Sequence, residues 1–377
     1  VLLFAFHTWI NYNARHIVED LVESRSHGRL KMKLQKFRFS WFSRKVELTD
    51  AVIYTVDSLN ATTSYRFHVQ HIKLSVQKIW PILFDNKLLI DSLNLDQPEI
   101  VVTRLKHLPV STEKKKDVSI PEELGKIYKS IQEALQALKV NRFQIDGARF
   151  TLINKIQPDQ LPLTISNIHF HIDNLSVDTN TLNGKEKLLF SDNVVLNAHN
   201  QDIVFPDGRH RLSFRNFSIN LKQRLVEFDS CTMLAEQKGD APSRFRVFFD
   251  TLRLANIDFD TLYHTEVIKA DSVYCNNPRF ELTVENSKRK TGIKKAPPKL
   301  EDIIQQLTGD LLLEHVIVKN ADFNININID QRPSSFTFTR NNFELQGLKV
   351  AQHDARPLTV RSVAMAIRNY ENFIRDS

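Results

Sequence analysis

The chain has 377 residues, 42% of them hydrophobic and 25% charged, which is enough apolar material for a sizeable core and excludes a disordered polymer. Nine glycines fall well below the average usage of about 7%, which argues against phosphate loops and dinucleotide folds. Two cysteines, Cys231 and Cys275, exclude a disulfide framework, and a net charge of +7 is modest for this length.

The chain opens with "VLLFAFHTWINYNAR". The apolar run Val1 to Ile10 is about half of the roughly 20 residues that span a bilayer, and Trp9, Tyr12 and Arg15 follow as an interfacial belt would. One reading is a fragment that begins inside a transmembrane helix, with Ile17, Val18, Leu21 and Val22 as its amphipathic exit. The other is a buried N-terminal helix of a soluble protein.

Beyond residue 27 the chain repeats itself. "LLIDSLNLDQPEIVVTR" (Leu88 to Arg104) returns as "IKADSVYCNNPRFELTV" (Ile268 to Val284), an offset of 180 that also places Gly28-Arg29 on Gly208-Arg209. "FQIDGARFTL" (Phe143 to Leu152) returns as "VIVKNADFNI" (Val316 to Ile325) at an offset of 173, so the second linker is seven residues shorter. "NVVLNAHNQDIV" (Asn193 to Val204) returns as "SVAMAIRNYENF" (Ser362 to Phe373). The first of these leads directly into the next unit at Gly208, so the match predicts a chain truncated at both ends. Length change confined to a polar linker marks duplication of a structural unit. The expected division is therefore 1–27, 28–207 and 208–377.

Within each unit the pattern is that of strands. Tyr65, Phe67 and Val69 alternate, then the phase slips to Ile72 and Leu74; Phe245, Val247 and Phe249 slip to Leu252 and Leu254 at the matching place. A shared slip predicts a shared bulge or sheet bend. Lys78 to Asn86 reads as a short helical turn. Leu124, Ile127, Tyr128, Ile131, Leu135 and Leu138 form a helical stripe, as do Leu300, Ile303, Ile304, Leu307 and Leu311. The expected fold is mainly β with α: tandem units of long curved antiparallel sheet forming an open apolar groove, each with an amphipathic helix.

In "NADFNININID" (Asn320 to Asp330) every second residue is apolar and every intervening one is asparagine. The apolar faces assigned to a groove carry Phe67, Val69, Ile72 and Leu74, then Val247, Phe249, Leu252 and Leu254, then Phe323, Ile325, Ile327 and Ile329. The competing reading lets the two amphipathic helices fill that face as a closed core. Basic linkers lie at the same place in each repeat, with Lys114, Lys115 and Lys116 in one and Lys288, Arg289 and Lys290 in the other. They read either as solvated tethers or as contacts to anionic lipid headgroups, worth about 1 kcal/mol per basic residue near a membrane.

No nucleophile elbow, zinc-protease, phosphate-loop or C-x-x-C motif occurs, so no enzyme reading arises and no cofactor is expected. His169 and His171 share a strand face, but Asn342 and Glu344 hold the matching places of the other copy, so solvent-facing histidines are expected there. No stripe of basic residues interleaved with aromatics favours nucleic acid.

The stretches "GRLKMKLQKFRFSWFSRKVELTDAVI" (Gly28 to Ile53), "IDSLNLDQPEIVV" and "IDGARF" together resemble the AsmA-like superfamily of Gram-negative envelope proteins. The resemblance spans nearly the whole chain, once per repeat, on short motifs. It implies a single-pass inner-membrane anchor, a periplasmic body of repeated β-groove units and a role in moving phospholipid during outer-membrane biogenesis, akin to chorein-type bridge proteins. It brings no catalytic residues. Two functional classes stay open: lipid binding or transfer, and an envelope scaffold that binds other proteins, as in outer-membrane protein assembly.

Overall fold

The computed structural model describes residues 15–16, 18–20, 22–24, 28, 30–40, 42–56, 63–77, 90–105, 141–156, 158–173, 193–236, 243–265, 267–285, 310–329, 332–351 and 358–374. Of these, 78% are strand, so the fold is mainly β. The chain packs as two compact units, the first with described residues 15–105 and 141–198 and the second with 199–374. The division falls inside a strand, nine residues before the boundary expected at 207/208.

The first unit holds β1 (Leu30–Ser40), β2 (Lys45–Thr55), β3 (Thr63–Val76), β4 (Ile90–Asp96), β5 (Glu99–Arg104), β6 (Arg142–Asn154), β7 (Leu163–Asp173) and the start of β8 (Asn193–Val204). β1, β2 and β3 are antiparallel neighbours. Strands β4 and β5 then share the far side of β3, with Pro98 between them: β5 faces Thr63–His68 and β4 faces His71–Val76. Both pair with β6 in parallel, and β6, β7 and β8 continue antiparallel. The second unit repeats this with β9 (His210–Asn220), β10 (Leu225–Ala235), β11 (Ser243–Ile257), β12 (Ile268–Asn276), β13 (Arg279–Glu285), β14 (Leu311–Ile329) and β15 (Arg332–Val350). Three short strands flank β15: β16 (Leu358–Thr359), β17 (Ser362–Ala366) and β18 (Asn369–Ile374).

Two expectations are corrected here. The sheets are mixed rather than antiparallel, because β4 and β5 run parallel to β6, and β12 and β13 parallel to β14. Parallel neighbours need a crossover of a dozen or more residues, and the interval from Arg104 to Arg142 is long enough to return the chain to the same end. Leu311 does not end a helix. It opens β14, 8% exposed, between Ile268 and Val350. The rest of both helical stripes and the segment Lys78 to Asn86 lie outside the described residues.

The phase slip recurs across strands in both units. Leu48 and Ala51, Val69 and Ile72, and Ile145 and Ala148 are each three apart, yet all six are buried. For Ala51 and Ala148 the mechanism is a left-handed residue just before the second member of the pair, Asp50 (φ 50°) and Gly147 (φ 67°), with Asn167 (φ 50°) on β7 and Ser230 (φ 50°), Asn320 (φ 55°) and Arg340 (φ 56°) at the matching offsets in the second unit; on β3, neither Gln70 nor His71 is left-handed. The β6–β7 and β14–β15 ladders shift register at these points. Side chains take up the backbone groups released by the bulges. Asn320 N–H donates to Asn342 Oδ1 at 3.0 Å, and Arg340 N–H donates to Asp322 Oδ1 at 2.8 Å. A Cβ at Gly147 would meet only Gln97 Cγ, at 3.5 Å, so its constraint is conformational. Gly147→Val should therefore cost about 1–2 kcal/mol in urea unfolding and Gly147→Asn less, because asparagine tolerates this conformation. Equal costs would show that side-chain space, not φ, governs the position.

Two helical pieces accompany the sheets. The described helical residues among 15–24 lie beside β1, where the Glu19 carboxylate accepts from Leu34 N–H at 2.8 Å and Glu23 sits 3.7 Å from Lys31 Nζ. The helix Phe259–Thr265 is capped by Asp258, whose Oδ1 accepts from Thr261 N–H at 3.0 Å and whose Oδ2 accepts from Thr261 Oγ1 at 2.8 Å. Those bonds hold the Asp258 carboxyl below its usual range.

Candidate functional site

Strand register places the apolar side chains in rows that run straight across each sheet. In the first unit one row is Phe37, Leu48, Ile72, Leu95, Ile145, Phe170 and Leu196. A second is Phe39, Val46, Leu74, Leu93, Phe143, Ile172 and Val194. On the other side of the slip runs Met32, Ile53, Phe67, Ile100, Phe150 and Ile165. Not one polar residue interrupts them.

The second unit repeats the rows at the same offsets. Phe217, Phe228, Leu252, Cys275, Val318, Phe343 and Met365 form the counterpart of the first row. Ile219, Val226, Leu254, Val273, Val316, Leu345 and Val363 form the next. Across the slip lie Leu212, Met233, Val247, Phe280, Phe323, Phe338 and Tyr370. Adjacent strands with equal alternation and equal slips can do nothing else, since the side-chain period is two and the ladders are otherwise continuous.

Of the groove residues expected from sequence, Phe67, Ile72, Leu74, Val247, Leu252, Leu254 and Phe323 fall on these rows, while Val69 pairs with Ala51, Phe249 with Cys231, Ile325 with Leu282 and Phe336, and Ile327 with Val284 and Ser334. Val69 and Ile72 are 0% and 7% exposed, while Phe67 and Leu74 are half-buried. Val247, Phe249, Leu252 and Leu254 are half-buried, as are Phe323, Ile325 and Ile327. Ile329 closes β14, and its side chain lies outside the described residues, as do Lys114, Lys115, Lys116, Lys288, Arg289 and Lys290. Opposite the isoleucines, Asn324 and Asn328 are exposed, and Asn326 Nδ2 donates to Asn324 Oδ1 at 3.2 Å.

The two ends of the second unit's face differ. At one end Ile257, Val273, Leu313, Val316 and Val350 are buried, and Phe259 of the capped helix packs against them. Towards the other end the rings form a half-exposed aromatic lining. Phe217 lies 4.5 Å from Phe228, Phe323 lies 5.4 Å from Phe343 and Phe338 lies 4.9 Å from Tyr370, measured between centroids. Sequence reasoning left out Phe217, Phe228, Phe280, Phe338 and Phe343, although the same alternation and the 25 phenylalanines of the chain carry their signal.

Both cysteines belong to this face. Burial pushes the Cys231 thiol up to about 12, with further help from nearby Cys275, and burial pushes Cys275 up to about 11 from an ordinary 9.0. The thiolate is the reactive form, so at pH 8 Cys275 should alkylate about 100-fold more slowly than a free thiol and Cys231 more slowly still. Rapid modification of either by iodoacetamide in the folded chain would contradict their placement.

The opposite face is polar. Asp91 sits in β4 and accepts from Arg142 Nη2 of β6 at 2.7 Å, a cross-strand ion pair. His169 and His171 border a 290 Å³ hollow with Gln144, Asp146 and Asn197. His169 Nε2 lies 3.1 Å from Asn167 Oδ1, and His171 Nε2 lies 2.9 Å from Asp173 Oδ1. No group of three His, Cys, Asp or Glu side chains among the described residues could hold a metal ion.

No protein-family model matches this chain, and no curated protein matches it either.

Proposed function

We propose that the apolar face binds the acyl chains of lipid and forms a track along which lipid can move, without catalysis. The carrying observation is the set of uninterrupted apolar rows, repeated in both units and, away from the buried end at Val273 and Val316, half-buried or exposed in the second. Seven strands about 4.8 Å apart give a row about 29 Å long, more than an extended sixteen-carbon chain needs. Burying such a chain is worth about 0.8 kcal/mol per CH₂, or about 12 kcal/mol in all. Only a continuous apolar lining recovers that sum, because each polar gap returns part of the chain to water.

In this reading each unit is a β-groove with its polar face, asparagine ladder included, turned to the aqueous compartment. The sequence resemblance extends it to a periplasmic protein of the AsmA-like kind, anchored in the inner membrane by the segment around Val1 to Ile10. Among the described residues no helix is long and apolar enough to cross a membrane, and that segment is not among them. The basic linkers would meet anionic headgroups. Replacing Lys114 to Lys116 and Lys288 to Lys290 by serine should then weaken liposome flotation at low salt and change it little near 0.5 M.

Native mass spectrometry of the chain, purified without detergent after expression in a Gram-negative host, tests the main proposal. Phospholipid adducts released by collision are expected. A chain that stays free of lipid even after incubation with phospholipid vesicles would overturn it.

A further inference from the structure

The hairpin of β1 and β2 departs from its copy, β9 and β10, at its tip. Phe42 stands in the turn, fully exposed, and Trp41 precedes it in sequence. At the offset of 180 the copy carries Leu221 and Lys222. The turn is fastened to the end of β3: Arg44 Nη1 donates to Gln77 O at 2.9 Å, and Arg44 O accepts from Val76 N–H at 3.0 Å. A held turn that presents a large apolar ring to water has no use for it within the fold, since a lysine serves the copy.

The charge of the strands differs too. Lys31, Lys33, Lys36 and Arg38 are exposed on the polar face of β1, among buried Met32, Leu34 and Phe39. The slip past Leu34 keeps all four on one side: Lys31 and Lys33 pair with Tyr54 and Val52, and Lys36 and Arg38 with Thr49 and Glu47. Exposed Lys45 and Lys73 continue the face across β2 and β3. In the copy Arg211 forks onto the Asp202 carboxylate, which that fork holds below its usual range, and Ser213, Asn216 and Ser218 fill the other three places of the row. Lysine at a sheet border deters stray strand pairing, but Lys45 and Lys73 lie on strands paired on both sides, where that need is absent.

We infer that the β1–β2 hairpin docks on an anionic membrane surface: Phe42 enters the interfacial layer, and the basic face of β1–β3 lies on acidic lipid headgroups. Its purpose rests on the lipid reading, since a track must meet the membrane that supplies its lipid. Charge and tip select this occupant together. The row from Lys31 to Arg38 covers about 23 Å of strand, at about 3.3 Å per residue, and matches a plane of phosphates. An aromatic ring beside it is what the boundary between headgroups and acyl chains accepts, and what the phosphate backbone of a nucleic acid leaves in water. The helical residues beside β1, with Glu19 on Leu34 N–H at 2.8 Å, also tie this hairpin to the segment proposed as the anchor.

The test uses the full chain with vesicles of phosphatidylcholine, with or without phosphatidylglycerol. A nitrobenzoxadiazole probe attached through Phe42→Cys, which labels ahead of the buried Cys231 and Cys275, should brighten and shift to the blue on the anionic vesicles. The same probe at exposed Lys222→Cys should not respond. In flotation Phe42→Lys should bind at least about tenfold more weakly, although it adds a positive charge. Lys33→Glu with Lys36→Glu should lose as much, whereas Arg215→Glu with Arg244→Glu, an equal change in net charge at exposed positions of the second unit, should lose less than about twofold. An unmoved probe at position 42, full binding by Phe42→Lys or equal losses from the two charge pairs would overturn the assignment. So would a probe response to a single-stranded oligonucleotide in place of vesicles, which would give the face to nucleic acid. Phospholipid adducts in native mass spectra report the track separately: their absence while the probe responds, or their presence while the probe stays silent, tells the failure of one proposal from that of the other.

Discussion

Val69→Asp is expected to unfold the first unit or bring it close to unfolding. Val69 is fully buried between Ala51 of β2 and the junction of β4 and β5, and the slip puts Ile72 on the same face beside it. An aspartate there must either stay charged without a partner or take up a proton, and either way the cost is about 3–5 kcal/mol, a large share of a typical domain's total stability. The sign of the pH dependence follows. Burial raises the carboxyl's folded pKa above its unfolded value of about 3.9, so the penalty is greatest at neutral pH and shrinks as the pH falls through the raised folded value towards 3.9. Urea unfolding at pH 7 and pH 4 measures both. An unchanged midpoint at pH 7 would mean that the first unit's face is wet enough to hold a charge.

The same alternation that predicts this cost also shows how far the sequence reached. Apolar positions were legible because every strand obeys the period of two and slips at the same place, and the repeat offsets carry that register from one unit to the other. Asp50, Asn167 and Asn320 are residue types that tolerate a left-handed backbone, so the slip has a local signature there. Gln97 and Arg340 carry none, and only the ladder around them imposes their conformation. Parallel pairing of β4 and β5 with β6 was not legible, since strand direction depends on the route of the intervening chain and not on the strand's own residues. Leu311 misled because it stands four residues after Leu307, a spacing shared by helical stripes and by chance at the start of a strand. The difference in exposure between Val194 and Val363 could not be read at all, because the two are the same residue type.

Ile327→Asp is expected to do the opposite of Val69→Asp: the chain stays folded and bound lipid falls at least tenfold. Ile327 is half-buried, paired with Val284 of β13 and Ser334 of β15, at a place where the rows end in partly wetted side chains rather than in packed protein. A carboxylate there keeps much of its hydration in the empty face, so unfolding should shift by only about 1 kcal/mol. An acyl chain lying across the row would have to strip that hydration, and the contact loses more than the methylenes it displaces. Asn328→Asp supplies the control. It adds the same charge one residue along the strand but on the exposed polar face, so it should leave both lipid and stability nearly unchanged. Native mass spectra and far-UV circular dichroism of the two variants separate the alternatives. Unfolding of Ile327→Asp would mean that the face is a sealed core, and equal lipid loss in both variants would mean that charge alone, not position on the apolar face, governs binding.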